Sequence, residues 1–213
     1  MPPEPTQYDL QACGIETRIL IIGSLRILLP GTEVPVVFLV DETHAEDCIN
    51  QNLLNAEQLT EHCRISFAGV ESRYGGYKWD DCYRHQYTKD FDLGVHLTEA
   101  NTHPQFADGI GKFGVKVFGV ESEGLSGELL SDLSDNPPPP PMKDRAFNVA
   151  RSEHFIRTLF QLRVAHCLDG NIILNVGGNH NTHIAQWIGD GSIETKVGHK
   201  AAYIRLRAPA YKE

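Results

Sequence analysis

Short apolar runs rich in β-formers alternate along this chain with longer stretches whose apolar residues recur at helical intervals. Thr17 to Leu29 and Pro35 to Val40 read as strands joined by the turn Pro30-Gly31-Thr32, and the second run stops at Asp41-Glu42-Thr43-His44. A helix is expected from about Ala45 to Cys63, where Ile49, Leu53, Leu54 and Leu59 fall on helical spacing. Ile65 to Val70 is the next strand and finishes at Glu71, followed by YGGYKWDDCYRHQY, which reads as an exposed loop. A short strand is expected near Leu93 to Leu97, then a short helix over Pro104 to Phe113 with Phe106, Ile110 and Phe113. Val115 to Val120 is another strand, closing on Glu121, and Ala146 to Leu168 is a long helical pattern. In NIILNVGGNHNTHIAQWI, from Asn171 to Ile188, a strand buried on both faces breaks at Gly177-Gly178, read as a pair tolerant of positive φ, and passes into an amphipathic stretch. A last strand, Ala201 to Leu206, is expected at the sheet edge.

This alternation predicts the α/β class, a mostly parallel central sheet flanked by helices, as a single compact domain over residues 1–213. The prolines from Pro137 to Pro141 belong in neither a helix interior nor a sheet, so residues 131–144 are expected to be an exposed proline-rich loop within it. With 41% hydrophobic and 22% charged residues, the chain has enough apolar material for a real core. A formal charge of -9 and the lack of a Lys/Arg stripe argue against nucleic acid and against an anionic membrane, leaving a small molecule or a protein as the expected partner. The five cysteines are scattered and never form a CxxC pair, and MPPEPTQYDLQ lacks the features of a leader, so a cytoplasmic setting with reduced thiols is expected.

Candidate chemistry collects where strands end. Glu42 and His44 follow one predicted strand, Glu71 the next, Glu121 a later one, and His180 and His183 follow the strand at Asn171. In a parallel sheet those carboxyl ends share an edge, where ligands bind in open α/β folds. His180 and His183 lie at i and i+3, on one face if the helix has begun by His180. A Glu beside a His can orient the imidazole and leave it to deprotonate water, so catalysis is the natural reading. Arg151 could bind a substrate carbonyl or pair with Glu71 or Glu121, while His154, on the same helical face, is expected to pack. Tyr74, Tyr77 and Trp79 of the aromatic loop, with Glu121, are candidate substrate contacts.

The order VVFLVDETH, FAGVES, an Arg-led helix and NVGGNHNTHIAQWI resembles the erythromycin-esterase-like proteins and their wider relatives, the ChaN haem-binding and TraB/TIKI groups. The resemblance spans about residues 34 to 190. Glu42 and His44 match the first motif, Glu71 the second, Arg151 the arginine, and His180-Asn181-Thr182-His183-Ile184 the closing motif. Where the family's first motif begins with Gly, this chain has Asp41, and it is too short for the helical lobe of the macrolide esterases. For the esterase branch the resemblance implies hydrolysis without a metal or other cofactor: His44 as general base, Glu42 orienting it, His180 and His183 binding the carbonyl or protonating the leaving group, and Arg151 stabilising charge. The bond cleaved would be an ester, lactone or amide of a small molecule or peptide. The TIKI branch implies instead a divalent ion such as Mn, Co or Zn held by His44, His180, Glu42 and Glu71 in a peptidase. A non-enzymatic reading makes the chain a haem or small-ligand binding protein, with His44, His180 or a loop Tyr as axial ligand.

Overall fold

A computed structural model describes residues 18–21, 34–43, 45–73, 75–77, 106, 109–121 and 146–211. Seven strands form one sheet: β1 (Arg18–Ile21), β2 (Val36–Glu42), β3 (Ile65–Arg73), β4 (Gly75–Tyr77), β5 (Lys116–Glu121), β6 (Asn171–Gly177) and β7 (Ala202–Arg207). Their order is β1-β7-β2-β6-β3-β5-β4. The five inner strands run parallel, and β1 and β4 pair antiparallel at the two edges. The described helices are α1 (Glu46–His62), α2 (Ala146–Ala165), α3 (Gly178–Gly189) and α4 (Ile193–Val197).

Every residue of β2 is buried, as the unbroken apolar run VVFLV requires of a strand covered on both faces. Val36, Phe38 and Val40 join Ile49, Ala56 and Leu59 of α1, with Phe106 and Ile110, on one face. Val37 and Leu39 join Phe155, Ile156 and Leu159 of α2, Ile184 and Trp187 of α3 and Ile193 of α4 on the other. Acidic Glu46 and Asp47 sit in the first turn of α1, where the helix dipole favours them. The chain leaving β2 therefore enters a helix on one face, and the chain leaving the adjacent β6 enters one on the opposite face. Neighbouring strands whose exits part in this way open a crevice between their carboxyl ends.

The α/β class and the mostly parallel sheet are as the pattern predicts, and several particulars differ. β7 is not at the edge, because β1 pairs beyond it. Gly75–Tyr77 of the expected loop is a strand, drawn into the sheet by antiparallel pairing with β5. The predicted first strand is described only over Arg18–Ile21, and the predicted strand near residue 93 and the proline-rich loop 131–144 lie outside the described residues. Leu54, counted in the helical stripe, is 57% exposed. Neither Gly177 nor Gly178 has a positive φ; closeness, not torsion, selects them. A Cβ on Gly178 would overlap the Tyr211 hydroxyl and lie 2.6 Å from its Cζ, and one on Gly177 would lie 3.3 Å from Glu71 Oε2.

Candidate functional site

The parallel ladders bring the carboxyl ends of β2, β6, β3 and β5 side by side. β2 and β6 end in register at Glu42 opposite Gly177. Between Val70 and Arg73 the β3 ladder slips, three residues of β3 advancing against two of β5, and Glu71 lies in the slip. Such irregularities re-aim a side chain at the end of a strand. Glu71 reaches over β6: its Oε2 accepts the Gly177 N–H at 2.8 Å, at the N-cap of α3, where the helix leaves amide groups without internal partners. Glu42 accepts a hydrogen bond from Asn175 Nδ2 one pleat back along β6.

α2 brings the positive charge. The Arg151 guanidinium donates to Glu71 Oε1 at 2.8 Å through one terminal nitrogen, which also pairs with Glu121 Oε2, and to Glu121 Oε1 at 3.1 Å through Nε. The other terminal nitrogen donates to Asn148 Oδ1 at 3.3 Å. Burial by itself lowers the pKa of Arg151, but the hydrogen bonds and charges of Glu121 and Glu71 outweigh it and hold the group above its ordinary value. Arg151 is therefore a fixed cation clamped between carboxylates. Its guanidinium also stands 5.4 Å over the Phe155 ring.

Helix α3 begins at Gly178, so His180 and His183 share a face, and both are buried. His180 Nε2 lies 3.5 Å from Glu71 Oε1, and its ring meets Phe155 edge-on at 4.9 Å. On the other side of the rings is Ser152 of α2, whose Oγ is 2.8 Å from His180 Nδ1 and 2.9 Å from His183 Nδ1. The same hydroxyl donates to the Asn148 carbonyl at 2.8 Å. A continuous chain of polar contacts runs Glu71, His180, Ser152, His183.

A second cluster fixes the start of α3 from below. Asp41, fully buried, accepts from Arg205 Nε at 2.8 and 3.0 Å, from Arg207 Nε at 2.7 Å and from Asn181 Nδ2 at 3.0 Å. Arg205 also donates to the Gly178 carbonyl at 2.9 Å and to Thr182 Oγ1 at 3.0 Å. The motif NHNTHI thus points its histidines at Ser152 and Glu71 and its Asn181 at Asp41.

Of the residues singled out in the sequence, Glu71, Glu121, Arg151, His180 and His183 form one connected group, with Glu42 beside it across the β2 and β6 register. Arg151 and Glu121 meet each other: Glu121, read as a substrate contact, is bound by Arg151. His44, Tyr74 and Trp79 lie outside the described residues, and Tyr77 is placed by its backbone alone. His154 stands apart from the chain of contacts, its Nε2 3.2 Å from Thr158 Oγ1; burial lowers its pKa, against a smaller opposing effect of Glu121. The sequence does not single out Ser152, Arg205 or Arg207, and it marks Asp41 only as a departure from the family's Gly. Only Arg205 and Arg207 carried a signal, as two cations on one face of an otherwise apolar strand.

Of the four residues expected to hold a divalent ion, His44 lies outside the described residues. Glu71 and Glu121 already share a cation in Arg151, Gly177 N–H takes the second oxygen of Glu71, and His180 turns one nitrogen to Ser152 and the other to Glu71. Among the described residues no group of three His, Cys, Asp or Glu side chains is placed to hold a metal. The same engagement of both His180 nitrogens does not suit an axial haem ligand. Among the described residues, no helix is long and apolar enough to cross a membrane.

Neither a family model nor a curated protein sequence matches the chain. One solved structure is similar: the type III effector HopBA1, at 13% identity and a TM-score of 0.42, over 68% of this chain and 67% of that one.

Proposed function

We propose that this protein is a hydrolase cleaving an ester, lactone or amide bond of a small molecule or peptide by imidazole and carboxylate acid–base chemistry. The observation that supports it best is His180 Nε2 facing Glu71 Oε1 at 3.5 Å, at the edge of a parallel sheet where open α/β folds bind ligands. Water attacks the carbonyl carbon while an imidazole takes its proton, the carbonyl electron pair moves to oxygen, and collapse expels an alcohol or amine that takes a proton from a second imidazole. His44 with Glu42 is assigned the first task, His180 and His183 the second. Glu71 stands where its charge can stabilise His180 once Nε2 is protonated, the form that protonating the leaving group requires. Arg151 is saturated by carboxylates and acts on the substrate only through the charge balance of the site; Tyr74, Tyr77 and Trp79 are assigned to its cover. Ser152 is fully buried on α2 and is not the nucleophile.

A panel of p-nitrophenyl esters, lactones and aminoacyl amides tests this. Wild-type turnover of at least one class is expected, with kcat/KM lowered about 10²–10⁴-fold in each of His44→Ala, His180→Ala and His183→Ala. Turnover that all three variants share equally with the wild type rules the proposal out.

A further inference from the structure

Ser152 has three polar neighbours, and a hydroxyl has one hydrogen and two lone pairs. The Asn148 carbonyl carries no hydrogen, so at 2.8 Å from Oγ it can only accept. The single Ser152 hydrogen is therefore committed to it. What remains on Oγ is two acceptor positions, and two imidazole nitrogens fill them at 2.8 and 2.9 Å. Each must donate. We infer that Ser152 is a positioning residue that fixes both His180 and His183 in the Nδ1–H form, so that every proton either ring gains or gives up in catalysis passes through Nε2.

Free imidazole side chains favour a hydrogen on the other nitrogen, and which nitrogen bears it is set by the bond the ring makes. One serine thus orders two rings at once. For His180 the consequence is definite: Nε2 is the nitrogen 3.5 Å from Glu71 Oε1, so a proton gained there arrives beside a carboxylate. Full burial of Ser152 keeps water from competing for the two acceptor positions. The part this plays in turnover rests on the hydrolase reading. The hydrogen placement does not.

Two-bond ¹H–¹⁵N correlation spectra of the uniformly ¹⁵N-labelled chain, recorded above the histidine titration range, read the placement directly. His180→Gln and His183→Gln identify the two rings among the ten histidines of the sequence. Both rings are expected to show a pyrrole-type Nδ1 and a pyridine-type Nε2. A pyridine-type Nδ1 in either ring of the wild type overturns the inference. In Ser152→Ala both patterns are expected to shift toward the Nε2–H form, and unchanged patterns in a folded variant also overturn it; if that variant does not fold, the wild-type spectrum decides alone. If the expected wild-type pattern is found with no turnover of any ester, lactone or amide, the hydrolase reading falls and the role of Ser152 in setting the rings stands.

Discussion

Replacing Arg151 by methionine keeps most of the stem and removes the cation from between Glu71 and Glu121. The two carboxylates are left with side-chain exposures of 14% and 5%, too little for water to take the place of the guanidinium. Removing one partner of a buried ion pair costs about 3–5 kcal/mol, chiefly because the remaining charge is stranded. At about 2–4 °C per kcal/mol for a chain of this size, the melting temperature should fall by about 6–20 °C. The pH dependence identifies the cause. The folded-state pKa of Arg151 is raised above its ordinary value, so its stabilisation is fully present below that ordinary value and is lost only as pH rises through the folded pKa, beyond any working pH. The deficit of Arg151→Met should instead shrink as pH falls through the carboxylate range, because a protonated carboxyl needs no cation. Adding Glu121→Gln should restore part of the loss at neutral pH. Thermal unfolding followed by far-UV circular dichroism at several pH values measures all three. A melting temperature within about 2 °C of wild type at neutral pH, against the expected fall, would refute the view that this clamp is buried and uncompensated without its arginine.

Two further substitutions probe what holds the site in place. Among the described residues the buried Tyr203 hydroxyl finds no hydrogen-bond partner, and burial pushes its pKa above the ordinary 10.0, so Tyr203→Phe should stabilise the fold by about 1 kcal/mol in urea titrations. A group with a raised folded pKa gives stability that is present below its unfolded pKa and lost above it, so wild-type stability should decline as pH climbs past about 10, and the variant should lack that part of the slope. A Cβ on Gly69 would lie 2.6 Å from Leu159 Cδ1 and 2.9 Å from Val120 Cγ1, so Gly69→Ala should cost about 1–3 kcal/mol. Because Leu159 is on α2, the displacement should also disturb Arg151 and Ser152. Denaturation midpoints that match wild type in Gly69→Ala would contradict this packing.

The strands were legible because apolar runs as dense as VVFLV and NIILNV have one stable placement, in a sheet covered on both faces. The carboxyl-end residues followed from parallel topology alone, which is why Glu42, Glu71, Glu121 and the histidines could be grouped before any contact was visible. Ser152 was not legible. A mid-helix serine carries no local mark, and its partners lie 28 and 31 positions away. The pattern around the two glycines suggests a torsion they do not adopt, since the close approach of Tyr211 to Gly178 and of Glu71 to Gly177 leaves no trace in the sequence near them. The role of Arg151 was legible only as a choice between substrate and Glu71 or Glu121, and desolvation decides it: a guanidinium this buried needs counter-charges of its own.

The strand order also bears on how the molecule comes to exist. β2 is made well before both of its neighbours, β6 and β7, with α1, β3, β5 and α2 between them in the chain. The contacts that close its carboxyl end span 133 positions from Glu42 to Asn175 and 164 from Asp41 to Arg205. During synthesis the most apolar strand of the sheet must wait, both edges unpaired, until residues 171–177 and 202–207 have been made. An unpaired apolar edge is a template for other chains. The crevice therefore cannot close until those residues have been made, and until then nascent β2 is open to pairing with other chains.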